Sequence, residues 1–186
     1  MRHWITLCMM LLSMAVTAQP AVAVLPSPAE GRHGEYQLKA YFLFNFAKFV
    51  IWADKPKNGI APPRMVFGVL GENPFDHHLE QAITGEFVGG RQLVVVHFPT
   101  IEALEPCDVL FVSKDSSGRL KEIFQRLADH STLTVGESAD FLRAGGMVNF
   151  IMRSNKVAFE VNLTALDQAG LQVSSKLLRL AKKVQK

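Results

Sequence analysis

A chain of 186 residues, 48% of them hydrophobic and 20% charged, has enough apolar surface for one core of ordinary size and too little polarity for disorder. The formal net charge of +3 excludes the dense positive field that nucleic-acid binding needs. Much of the basic excess collects at the end, in Arg179, Lys182, Lys183 and Lys186, where cations suit a helix C-terminus.

Residues 1–23 read as a secretory signal peptide. Met1-Arg2-His3 is a basic start, and Trp4 to Val16 is an apolar run interrupted by Thr6 and Ser13. Ala21-Val22-Ala23 has the small-x-small pattern of a cleavage site, and Val16-Thr17-Ala18 is a second candidate. The apolar run falls short of the ~20 residues a membrane span requires. Export is therefore expected, with no membrane insertion once the signal is removed. Cleavage leaves Cys107 without a second cysteine. It stands at the head of an apolar run, where a small buried thiol is the default and an intermolecular disulfide the alternative.

Val24 to Gly34, with Pro26, Pro28 and two glycines, reads as a flexible leader, and a single domain is expected over 35–186. Glu35 to Ala53 carries a helical pattern that Pro56 stops. At 100° per residue, Leu38, Phe42, Phe46, Phe49 and Ala53 share a side expected to pack on the core, while Gln37, Asn45 and Lys48 mark the opposite stripe. Tyr41 and Trp52 fall inside that polar stripe and Phe44 at its margin. Large aromatics on the wet side of a helix point to a partner, or to a loop folded over them.

A linker over Lys55 to Arg64 precedes Val66–Leu70, a continuously apolar strand of the kind covered on both faces. Asn73 is placed to cap a helix that runs through Leu79 and Ile83, with Pro74 at its first position. Strands are expected at Arg91–Phe98, Asp108–Val112 and Ser131–Val135. Ser116 or Ser117 is placed to cap a helix through Leu120, Ile123, Phe124 and Leu127, and Ser138–Ala144 reads as a short helix stopped by Gly145-Gly146. Strands alternating with amphipathic helices indicate an α/β domain. Met147–Met152 and Lys156–Val161 are too close for a crossover and must form an antiparallel hairpin. The expected fold is a three-layer α/β sandwich: a mixed, mostly parallel sheet, a C-terminal hairpin, and helices on both faces.

Little in the chain can carry chemistry. Gly68-Val69-Leu70-Gly71-Glu72-Asn73-Pro74 follows a strand but lacks the third glycine or the lysine of phosphate-binding loops. His77 and His78 are adjacent, so they do not share a helix face, and no thiolate pair stands by to complete a zinc site. No serine sits in a G-x-S-x-G elbow. Asp108 and Asp115 flank a strand without a phosphoryl donor to act on. A hairpin loop of Ser154-Asn155 sets Phe150 opposite Phe159, Val148 opposite Val161, and Asn149 opposite Glu160. Asn149 and Asn162 then become polar anchors within apolar strands, either backbone latches or the lining of a groove. The reading is a non-enzymatic binding protein with no cofactor and no metal.

Seven ordered blocks carry a resemblance: Lys39 to Trp52, Val69 to Phe75, Cys107 to Ser113, L-T-V-G-E at Leu133 to Glu137, G-G-M-V-N-F at Gly145 to Phe150, F-E-V-N-L at Phe159 to Leu163, and Gly170 to Ala181. On these the chain resembles the YfiR/HmsC-like family of periplasmic proteins. The resemblance implies an α/β sandwich that binds the periplasmic part of an inner-membrane diguanylate cyclase. Binding restrains cyclic-di-GMP synthesis and biofilm formation, and an outer-membrane-associated lipoprotein relieves the restraint by sequestering the repressor. Two departures stand out. The disulfide cysteines of some relatives have no counterpart pair here, and Trp52-Ala53 replaces a common Trp-Pro, so the first helix is expected to run on toward Pro56. The partner contacts expected are Tyr41, Phe44 and Trp52, with Leu177 and Leu180 forming a second surface; a homodimer is left open. The alternative is a periplasmic small-molecule-binding sensor module, coupled to a sensor kinase or an outer-membrane uptake system. Its pocket is expected at the strand ends near Asn149 and Asn162.

Overall fold

The computed structural model describes residues 28–52 and 63–185. The expected signal peptide with its two cleavage candidates, and most of the linker expected over Lys55–Arg64, lie outside the described residues. The first half of the chain forms α1 (Pro28–Phe49), β1 (Val50–Trp52), β2 (Arg64–Leu70), α2 (His78–Ile83), β3 (Phe87–Val88), β4 (Arg91–Phe98) and β5 (Val109–Val112). The second half forms α3 (Leu120–Arg126), β6 (Leu133–Gly136), β7 (Val148–Arg153), β8 (Lys156–Asn162), α4 (Leu163–Gln168), β9 (Leu171–Val173), α5 (Ser175–Leu180) and β10 (Lys183–Gln185).

Eight strands make one mixed sheet in the order β10-β8-β7-β6-β5-β2-β4-β3. β2 is parallel to both neighbours, β4 and β5, and the parallel run continues through β6 to β7. Alternation along the strands sends Phe67, Val69, Val109, Phe111, Val135, Phe150 and Phe159 into a core shared with α1, α2, α4 and α5. Leu70, Leu110 and Val112 point the other way, toward α3, Ile101 and Phe141. Both faces are covered, which is why the central strands read as unbroken apolar runs. The hairpin has the expected register, with Val148 opposite Val161, Asn149 opposite Glu160 and Phe150 opposite Phe159. Its two-residue turn places Ser154 and Asn155 at positive φ, as the favoured hairpin turns require.

Five expectations about boundaries are corrected. Helix α1 starts at Pro28 rather than Glu35, so residues 28–34 are helical, not a flexible leader; proline is well suited to a first helical position. It also stops at Phe49 instead of running toward Pro56. There the chain extends into β1, which pairs antiparallel with β9, Val50 opposite Val173 and Trp52 opposite Leu171. Its buried face holds Ala40, Leu43, Phe44, Phe46 and Ala47, whereas Leu38, assigned to the core, is 43% exposed. Helix α2 begins at His78 because the Asn73 side chain closes a local turn instead. It accepts from the Phe75 N–H (3.0 Å), and Asp76 at φ 51° leaves the helical path. Residues 114–119 form a 3-10 turn, so neither Ser116 nor Ser117 caps α3. Residues 138–144 are successive turns rather than a helix, closed by Phe141 N–H to Ser138 O and Ala144 N–H to Asp140 O.

The turns of 138–146 are anchored by the buried Phe141 ring, which packs on the bare backbones of Gly136 and Gly146. A β-carbon at either glycine would occupy the ring's space. Gly136→Ala is therefore expected to cost about 1–3 kcal/mol in urea denaturation, the usual range for overpacking. Unchanged stability would show that Phe141 is free to move.

Candidate functional site

The sheet has one point where consecutive connections diverge. From β2 the chain passes through α2 to β4 on one side, while from β5 it passes through α3 to β6 on the other. Crevices outside the carboxyl ends of strands at such a point are the usual ligand sites of open α/β sheets. Here a cavity of about 470 Å³ lies there. The loop after β2 contributes Glu72, Asn73, Pro74 and Asp76, the loop after β5 Ser113, Lys114 and Asp115, and the end of β6 Glu137. The fourth side is α1, through Arg32, His33 and Tyr36.

The walls are tied to one another. Gly71, at φ +87°, lies so close to Ser113, Asp115 and Ser116 that no side chain would fit. Its N–H donates to Phe98 O at 2.9 Å. Asp115 accepts from the Glu72 N–H at 3.2 Å and from the Ser113 hydroxyl, which also reaches Leu70 O at 2.6 Å. Burial opposes ionisation of Asp115, but the Ser113 hydroxyl and the Glu72 and other backbone N–H groups outweigh it and hold its carboxyl below the usual range. Across the crevice, His33 Nδ1 is 3.4 Å from Asp76 Oδ2, both largely exposed.

Beneath the crevice lies the most buried charge cluster among the described residues. The Lys39 ammonium, 3% exposed, bonds both Glu35, one turn earlier, and Glu137, also 3% exposed. Tyr36 donates to Glu137 at 2.9 Å. Burial first, and then the Glu137 charge, raise the Tyr36 hydroxyl well above the ordinary phenol range, so it remains a donor. The start of α1 is thereby pinned to the end of β6.

A second cavity, about 640 Å³, lies toward the opposite strand ends and is lined by Lys48, Trp52, Arg64, Met65, Cys107, Asp108 and His130 among others. Arg91 grips Asp108 through two bonds of 2.7 and 2.8 Å beside it. Cys107 is buried, and that burial, followed by the Asp108 charge, pushes its thiol up to about 12. A protonated, buried thiol is inert to exchange, so the intermolecular disulfide finds no support here.

The residues read from sequence are dispersed. Tyr41 is 49% exposed on the outer face of α1, near Leu38, and Leu180 is exposed at the end of α5. Phe44 is not the exposed contact expected: it is buried, with the Lys48 ammonium 3.8 Å from its ring centre. Leu177 is likewise corrected, being a core residue at 2% exposure. Trp52 is half-buried on β1 rather than on a helix stripe, and its indole N–H is buried without a partner among the described residues. Asn149 and Asn162 are both buried and line neither of the two larger cavities. Asn162 caps α4, accepting from Ala165 N–H at 3.1 Å and donating to Leu142 O at 3.2 Å. The Asn149 carbonyl oxygen has no hydrogen-bond partner among the described residues.

In the sequence the crevice shows only in pieces, as the loop Gly71 to Pro74 and the strand-flanking Asp115. A Glu35–Lys39 pair at i,i+4 looks like an ordinary surface pair. Glu137 lies in the L-T-V-G-E block, and Asp115 looks like no more than a strand-flanking acid. Among the described residues no group of three His, Cys, Asp or Glu could hold a metal ion, and no helix is long and apolar enough to cross a membrane.

A family model described as YfiR/HmsC-like matches residues 36–182. Among solved structures, the chain is similar to a conserved domain protein from Vibrio cholerae O1 biovar El Tor str. N16961, with TM-score 0.50 and 12% identity over 64% of this chain. It is also similar to an ABC domain in complex with L-Trp from Streptococcus pneumonia, with TM-score 0.53 and 9% identity over 78% of this chain. It spans 54% and 60% of those two chains, and at such identities the likeness shows the α/β fold alone.

Two outcomes follow from the buried cluster and the loop latch. Lys39→Met should cost about 3–5 kcal/mol, because the Glu137 charge is left buried with no cation and only the Tyr36 hydroxyl beside it, and adding Glu137→Met should recover more than half of it. A small cost for the single substitution in urea denaturation would contradict the burial of the pair. Asp115 has a depressed carboxyl in the folded state, so it binds its proton less readily there than when unfolded. Its stabilisation is full above the ordinary carboxylate range and fades as pH falls through that range and below. Asp115→Asn should flatten that part of the acid unfolding curve; an unaltered curve would remove Asp115 from it.

Proposed function

The chain belongs to the YfiR/HmsC-like family, and on that basis we propose that it is a periplasmic regulator that restrains an inner-membrane diguanylate cyclase by direct contact, limiting cyclic-di-GMP synthesis and biofilm formation. The observation that carries this reading is the extent of the family match, residues 36–182, which takes in nearly the whole described domain. The reading of residues 1–23 as an export signal supports the same compartment, and the sequence contains none of the catalytic motifs considered for it. An outer-membrane-associated lipoprotein that competes for the regulator is the natural source of relief.

Restraint by contact needs a differential affinity: the regulator must bind the inactive conformation of the cyclase more tightly than the active one. The surface best suited to that contact is the outer face of α1. Leu38 and Tyr41 stand three residues apart on it, exposed, while the opposite side of the helix is spent on the core. Leu180 on α5 is a further exposed apolar contact. Phe44 and Leu177 drop out of the contact set because they are buried.

Tyr41→Ala with Leu180→Ala should abolish repression in cells carrying the cyclase, raising cyclic-di-GMP, while thermal unfolding stays within about 0.5 kcal/mol of wild type, as surface substitutions usually do. Full repression by this folded variant would remove α1 from the contact.

A further inference from the structure

The crevice above β2, β5 and β6 carries more polar groups than loop packing requires, and its charges are unevenly matched. Four carboxylates line it, and three already have partners. Asp115 takes the Glu72 N–H and the Ser113 hydroxyl, Glu137 takes Tyr36 and Lys39, and Asp76 lies beside His33. Arg32 and Lys114 have no such partner among the described residues. Arg32 on α1 and Lys114 on the loop after β5 make no side-chain hydrogen bond or ion pair with a described residue, and the Glu72 carboxylate is likewise unpaired. Two free cations and one free carboxylate thus line the same cavity from three different elements.

We propose that this crevice binds a small organic oxyanion, a carboxylate or a phosphate ester, that also carries a hydroxyl. Arg32 and Lys114 hold the oxyanion through charge-assisted hydrogen bonds, and Glu72 accepts from the hydroxyl. Three observations converge on it. The cavity lies at the divergence of the strand connections, where a ligand can reach the loops of two parallel strands at once. Its volume, about 470 Å³, is in the range of small-molecule sites. Its walls are fixed without a ligand: Gly71 and Asp115 join two loops, and the Lys39–Glu137 pair fixes α1 against the third, so little ordering is left for binding to impose. Glu72 accepts from a hydroxyl carried on a carbon apart from the oxyanion, a group that inorganic phosphate lacks. A bound ligand would bridge α1 to the loop after β5, while Leu38 and Tyr41 further along α1 remain uncovered.

The test is calorimetric titration of the purified protein with malate, glycerol 3-phosphate, inorganic phosphate and putrescine. Malate or glycerol 3-phosphate should bind saturably at one site, and which of the two does so decides between carboxylate and phosphate ester. Loss of each charge-assisted bond weakens binding by about tenfold or more, so Arg32→Ala with Lys114→Ala should reduce affinity by about a hundredfold. Lys121→Ala with Arg153→Ala removes the same charge elsewhere on the surface and should leave affinity unchanged. The proposal is overturned if neither hydroxylated oxyanion binds, if the Arg32/Lys114 variant binds as well as wild type, or if putrescine alone binds. The titration contains no cyclase, so its failure would leave the regulatory reading standing, and the converse holds too.

Discussion

Lys39 sits on an apolar helix with its ammonium almost wholly withdrawn from water, and that is tolerable only because Glu35 and Glu137 meet it there. Such a cluster adds little net stability relative to an apolar replacement. Its effect is positional. Glu137 directly follows the apolar strand β6, Lys39 and Tyr36 lie on α1, and joining them fixes where the helix crosses the sheet. With α1 so placed, Phe42 and Phe46 pack against Phe150 and Phe159 of the hairpin. The same placement sets Arg32, His33 and Tyr36 over the strand ends as a wall of the crevice, and turns Leu38 and Tyr41 outward.

The two faces of the sheet divide the remaining work. On one, α1, α2, α4 and α5 enclose the larger core; on the other, α3 and the irregular segments around Ile101 and Phe141 enclose the smaller one. The opposite faces taken by α2 and α3 accord with right-handed crossovers leaving a common centre in opposite directions. That arrangement produces a crevice at the divergence as a matter of topology. A regulator built this way can offer a partner the convex side of one helix and keep a separate cavity at that helix's start.

Legibility in the sequence followed the range of the interactions. The hairpin register was readable because a two-residue loop leaves a single pairing, and strands such as Val109–Val112 were readable because burial on both faces leaves unbroken apolar runs. The end of α1 was not readable: Val50–Trp52 leaves the helix to pair with Leu171–Val173, more than a hundred residues away. Its rotational phase was readable only in part: Phe42, Phe46 and Phe49 pack on the core as expected, whereas Leu38 does not. Leu38, Tyr41, Phe42, Leu43, Phe44 and Phe46 surround the helix almost completely, so periodicity does not choose a face. The deciding residue, Lys39, is of a type normally assigned to water. The crevice escaped because its members lie on four separate segments, and each alone resembles a capping or surface residue. Asn162 shows the converse: the backbone-latch reading of it describes the bonds it makes, and it lines neither of the two larger cavities.

On the proposed function, the protein acts by touching a membrane cyclase rather than by chemistry of its own. The most direct measurement is the rate of cyclic-di-GMP synthesis by a reconstituted membrane diguanylate cyclase as purified protein is added to its periplasmic side. Saturable inhibition is expected, with half-inhibition at the concentration that half-saturates the complex. A rate that stays flat while the complex forms, or no complex at all, would contradict it.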